Sequence, residues 1–141
     1  MRSIIMLVSV LIFGGPTVPA RAETFGPFTA EVIRVLDGDT LEMRLYIAEG
    51  LMATDIFRLD GVDTPEMHDP LPCVRAKAVA ARNFVAAWTA ARGLRVETLG
   101  RDKYGRQLAR VTRGLESLTD TLIDEGHARA YSGGKRLPWA C

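Results

Sequence analysis

One helix interrupts an otherwise strand-like chain, and its position limits the folds open to it. From Val74 to Arg92 the sequence is rich in alanine, and Val74, Ala78, Ala81, Val85 and Trp88 recur at helical spacing before Gly93, a helix stop. Trp88 and Phe84 on this amphipathic segment read as core rather than as a ligand platform. Three strands precede it. Phe28–Leu36 carries Val32, Ile33 and Val35 and ends at the turn dipeptide Asp37-Gly38, and Thr40–Ile47 alternates Leu41, Met43, Leu45 and Ile47 with a period of two. After a loop around Glu49-Gly50, Ile56–Leu59 forms the third strand, closed by Gly61 and Pro65. Beyond the helix, Leu94–Leu99 and Gln107–Thr112 flank Asp102-Lys103-Tyr104-Gly105. Leu118–Glu125 then forms a short helix stopped by Gly126, and the tail Gly133-Gly134-Lys135-Arg136 is irregular.

Three strands, a helix and two more strands is the order of a five-stranded OB-fold barrel. Such a fold is a β-barrel with helices, of the α+β class, with a helix between strands 3 and 4 and here a short C-terminal helix. The 141 residues make one domain, 23–141, preceded by an export signal, 1–22. Arg2 opens that signal, Ile4–Phe13 is its apolar stretch, and Ala20-Arg21-Ala22 is its small-x-small cleavage site. The alternative, a membrane anchor, is disfavoured because spanning a bilayer takes about 20 apolar residues. Localisation is therefore expected to be periplasmic or secreted, without stable membrane association after cleavage.

The mature chain carries a net charge of −1, so it is not a basic protein. Its charge is distributed unevenly: 3 basic and 11 acidic residues lie in 23–72, against 10 basic and 2 acidic in 74–113. Such halves suit a site that holds a cation with one and polyanion oxygens with the other, unless they interleave as ordinary solvated faces. Two cysteines, Cys73 and Cys141, exclude a cysteine zinc site, and His68 and His127 lack ligand spacing. In an exported chain the cysteines are expected to form a disulfide, two free thiols being the alternative.

Three short segments carry the chemistry: Asp37-Gly38-Asp39-Thr40, Asp63-Thr64-Pro65-Glu66 and Asp102-Lys103-Tyr104-Gly105-Arg106, with Arg58 between the first two. Hard dications take oxygen ligands, and short carboxylates on rigid turns supply them with little entropy to lose. Asp39 follows a hairpin turn and Asp63 leaves a strand, so a closed barrel can bring them to one point. Guanidiniums match phosphate oxygens as a planar fork and stay charged at any working pH. Each segment alone is a common turn; their joint occurrence is specific.

In that joint occurrence the chain resembles the staphylococcal nuclease (thermonuclease) family over about Phe28–Tyr131. The resemblance implies an exported, calcium-dependent endonuclease that hydrolyses DNA and RNA to 3′-phosphate and 5′-hydroxyl ends, and the chain is expected to be a monomer. It implies calcium (Ca2+) held by the side chains of Asp39 and Asp63 and the carbonyl of Thr64. Glu66 would orient or deprotonate a water, and Arg58 and Arg106 would bind the scissile phosphate. Lys103 and Tyr104 would lie beside the bound nucleotide, and Tyr131 near its base or phosphate. Two features depart from the family pattern: the chain ends soon after its second helix, and it lacks a strong positive charge. The rival class is a noncatalytic OB-fold module binding nucleic acid or protein; such degenerate members lose catalytic carboxylates or arginines, and this chain retains them.

Overall fold

A bulged first strand lets one segment belong to both sides of the barrel. In the computed structural model, which describes Thr24–Cys141, β1 (Phe25–Asp37) pairs antiparallel with β2 (Thr40–Ala48) from Thr29 onward and with β5 (Leu94–Arg101) through Phe25, Phe28 and Thr29. Register shifts after Val32 and Val35 bend it between the two partners, as bulges do. The export signal assigned to 1–22 lies outside the described residues.

β2 shows the alternation of its sequence directly: Leu41, Met43 and Leu45 are buried, while Glu42 and Arg44 pair across the outer face with Arg34 and Glu31. β3 (Leu51–Leu59) completes a hairpin with β2, and β6 (Gln107–Arg113) pairs with β5. Parallel pairing of Phe57, Arg58 and Leu59 with Gln107, Leu108 and Ala109 then joins β3 to β6 and closes a five-stranded barrel. This is the expected OB-fold architecture, with helix α1 (Pro72–Thr89) between the third and fourth long strands and α2 (Leu118–Asp124) near the end. Val85 and Trp88 of α1 and Leu118 and Leu122 of α2 enter the same core as Leu41, Leu59, Val96 and Val111.

Among the boundaries that differ from expectation, two do so for evident physical reasons. The third strand begins at Leu51 rather than Ile56, because Leu51–Ala53 are exposed and carry no buried alternation; pairing with β2 alone defines them. Helix α1 stops at Thr89 rather than Arg92. Arg113 takes the carbonyl of Trp88 at 3.0 Å and stacks on its ring at 4.5 Å, tying the last turn to β6.

The tail is irregular as expected, yet it is fastened along its length. A two-residue strand, β8 (Arg129–Ala130), pairs with β4 (Val62–Asp63), and the amide of Tyr131 donates to Gly61 at 2.9 Å. Lys77 holds the carbonyl of Ala140 at 2.7 Å, and a disulfide joins Cys73 to Cys141 with their Cα atoms 5.7 Å apart. Residues 131–141 therefore form a strap returning to the start of α1. The remaining two-residue strand, β7 (Glu116–Ser117), leads into α2, whose Ser117 cap accepts from the amide of Asp120.

Candidate active site

The β1–β2 turn presses into the body because Gly38 has no side chain. A Cβ there would lie 2.8 Å from the Cβ of Ala81 and 3.0 Å from that of Thr64, so a larger residue would push the turn away from both. Asp37 accepts the amide of Asp39 at 3.0 Å and holds the turn closed. Asp39 is thereby buried against the β4 exit, accepting Thr40 Oγ1 at 3.0 Å and the Thr64 amide at 3.4 Å.

Arg58, buried on β3, pairs with Oδ1 of Asp39 and donates to the Val62 carbonyl at 3.0 Å. Burial pushes the Asp39 carboxyl up, but the charge and hydrogen bond of Arg58, with help from Asp37 and Thr40, outweigh it and hold the group below the usual carboxylate range. Asp63 is buried beneath the strap. Its Oδ2 accepts Arg129 Nε at 3.0 Å, Arg129 Nη2 at 2.7 Å and Trp139 Nε1 at 3.2 Å, while its Oδ1 faces Arg136 Nε at 3.2 Å. Glu66 is exposed and pairs with the same Arg136.

On the other wall, Asp102 folds its loop by accepting the amides of Tyr104 and Arg106 at 2.9 and 3.0 Å. It also grips the Arg106 guanidinium at 2.9 and 2.8 Å, presenting that group from a fixed turn. Tyr104 is largely exposed, with Lys103 and Arg106 near its ring.

These walls enclose a cleft of about 1500 Å³ lined by Asp39, Arg58, Glu66, Lys103, Tyr104, Arg106 and Tyr131, and also by Asp37, Asp102 and Arg136. Asp63 and Thr64 stand behind that surface, each 2 % exposed. His68 is exposed and lies outside it.

The uneven charge does not separate into two faces. Arg101 of the basic stretch pairs with Asp55 of the acidic one, and β1 and β3 lie beside β5 and β6. Within the basic stretch, Lys103 and Arg106 line the cleft, whereas Arg110 and Arg113 pair with Glu97 and Glu116.

The donors near Asp39 suit a hard dication: two carboxylates and the Thr64 carbonyl are all oxygen. Burial and then the charge of Asp39 push the neighbouring Asp37 carboxyl up to about 6. Calcium therefore fits the chemistry of Asp39, Asp63 and Thr64. Among the described residues no group of three or more His, Cys, Asp or Glu side chains is gathered for a metal, so two side chains and a carbonyl would leave further positions to water or substrate.

Sequence reading missed Arg129, Arg136 and Trp139, the strap residues that contact Asp63. Their usable signal was Cys141, whose pairing with Cys73 returns the tail to a point close in sequence to the Asp63–Glu66 turn.

Residues 56–137 match the family described as staphylococcal nuclease homologue. Thermonuclease of Staphylococcus hyicus is 33% identical over 129 residues, covering 90% of this chain and 73% of that protein. Thermonuclease of Staphylococcus intermedius is 40% identical over 101 residues, covering 70% of this chain and 57% of that protein. The chain belongs to the family of staphylococcal nuclease homologues.

Proposed function

We propose that this protein is an exported, monomeric, calcium-dependent endonuclease that hydrolyses phosphodiester bonds of DNA and RNA, leaving 3′-phosphate and 5′-hydroxyl ends. The observation that carries this reading is one cleft lined by Asp39 and Glu66 together with Arg58 and Arg106. Family membership and similarity to two thermonucleases support the nuclease class.

Asp39, Asp63 and Thr64 would hold calcium, which supplies Lewis-acid polarisation of a phosphoryl oxygen. Glu66, exposed at the cleft wall, orients a water for attack on phosphorus and accepts its proton. Arg58 and Arg106 face the phosphate oxygens, where negative charge grows as the water adds. Arg106 also steadies the departing 5′ oxygen, and its own aim is kept by Asp102. Tyr104 and Tyr131 offer aromatic surfaces beside the neighbouring bases, and Lys103 offers a charge to a flanking phosphate.

Purified Glu23–Cys141, incubated with single-stranded and duplex DNA and RNA, is expected to cut in calcium and to stop in chelator. End-group analysis of the fragments checks the products. Tight oligonucleotide binding without cleavage would favour the noncatalytic OB-fold module, and full cleavage in chelator would overturn the calcium assignment.

A further inference from the structure

The strap carries a third arginine into the cleft. Arg136 bridges the two acidic residues of the Asp63–Glu66 turn, with Nε 3.2 Å from Asp63 Oδ1 and an Nη on Glu66 Oε1. One guanidinium thus sits on both carboxylates of that turn and lines the same cleft as Asp39. The opposite oxygen of Asp63 is already occupied by Arg129 and Trp139, leaving Oδ1 on the Arg136 side.

The two sides of this carboxylate are held differently. Arg129 and Trp139 grip Oδ2 with three hydrogen bonds, and Arg129 also binds the strap at the Leu137 and Pro138 carbonyls. Arg136 holds Oδ1 through a single contact at 3.2 Å and has 35% of its side chain exposed. Gly133 and Gly134, at φ of 100° and 89°, turn the chain just before it. The Arg136 side chain is thus the yielding partner.

We propose that Arg136 is the resident counter-cation of this site: it neutralises Asp63 and Glu66 in the metal-free protein and lowers the site's affinity for calcium. This inference rests on the calcium reading above. A dication on Asp39 and Asp63 meets the guanidinium as a like charge, and releasing Arg136 from Asp63 and Glu66 consumes part of the binding free energy. Arg136 therefore acts on binding through charge competition, without any change of fold.

Calcium titration of disulfide-intact Glu23–Cys141 by calorimetry, without nucleic acid, tests this. Fluorescence of Trp139, which touches Asp63, gives a second readout. Arg136→Ala and Arg136→Gln are expected to bind calcium about tenfold or more tightly than the unmodified chain, while Arg136→Lys, which keeps the charge, stays within about threefold of it. Melting curves show which variants are folded, and Gln serves if Ala is not. Equal or weaker affinity in the neutral variants, with calcium still bound by the unmodified protein, would overturn the inference alone. Absence of binding by every variant and by the unmodified chain would overturn it together with the calcium reading. Binding by the neutral variants only would support it.

Discussion

Arg129 and Asp63 face each other across the β8–β4 pair, and Arg129 donates to one oxygen, Oδ2, from both Nε and Nη2. Backbone register thus places the guanidinium directly against the buried carboxylate. Arg129 also stacks on Trp139, with its Cζ 4.4 Å from the ring centroid, so the strap and the carboxylate are held by one guanidinium.

Removing that guanidinium leaves a buried charge short of donors. Arg129→Ala is expected to cost about 3 kcal/mol, since Asp63 retains only Trp139 and Arg136. Arg129→Lys keeps the charge but loses the fork, so it should recover part of the stability. Thermal melts in chelator check both; an Ala variant that melts with the unmodified protein would show that the pair contributes nothing net.

Under the proposed function, catalytic and structural effects should separate differently at Asp39, Glu66 and Arg106. Glu66 is exposed and Arg106 only partly buried, so Glu66→Gln and Arg106→Ala should lower turnover by orders of magnitude, about 3 kcal/mol for loss of one such charge, with little change in melting. Asp39→Asn should lower both, because it leaves the buried Arg58 guanidinium without its carboxylate. Single-turnover cleavage beside a melt of each variant distinguishes these outcomes. Unreduced cleavage in Glu66→Gln would remove that residue from the chemistry.

Asp37 predicts a pH dependence. Its carboxyl moves from 3.8 to about 6 on folding, so the folded chain binds the proton more tightly and stability falls as pH rises through that window. Asp37→Asn keeps an acceptor for the Asp39 amide while removing the charge. In chelator the variant should exceed the unmodified protein by roughly 1 to 2 kcal/mol at pH 7, after allowance for solvent screening, and match it near pH 4. Melts across pH 4–8 check this; an identical slope in both proteins would remove Asp37 as the source.

The sequence made legible those parts of the molecule that follow from short-range pattern. Leu41, Met43 and Leu45 announce an inward face by alternation, and Val74, Ala78, Ala81 and Val85 announce a helix by spacing. Asp39, Arg58, Glu66 and Arg106 could be proposed together through the family resemblance their segments carry, and all four line one cleft. Leu51–Ala53 escaped because exposed residues carry no alternation. Arg129, Trp139 and Arg136 escaped because their contacts span 66, 76 and 70 residues and depend on how the strap crosses the body, which no local periodicity encodes.

The disulfide links that strap to the site. Cys141 lies two residues beyond Trp139, and Cys73 opens the first turn of α1, so the bridge anchors the segment whose Trp139 and Arg136 touch Asp63. Its closure of a 68-residue separation is worth about 4 kcal/mol in the chain-entropy model, less where strap contacts persist after reduction. Lys77 on Ala140 and Arg129 on Pro138 are such contacts, so reduction should lower the melting temperature without unfolding the barrel. The Trp139 environment should loosen with it. Melting and tryptophan fluorescence before and after reduction, beside alkylation mass analysis, check this. Two thiols alkylated without reductant in exported protein would refute the bridge, and an unchanged melt and fluorescence after complete reduction would show that the strap is held by its non-covalent contacts alone.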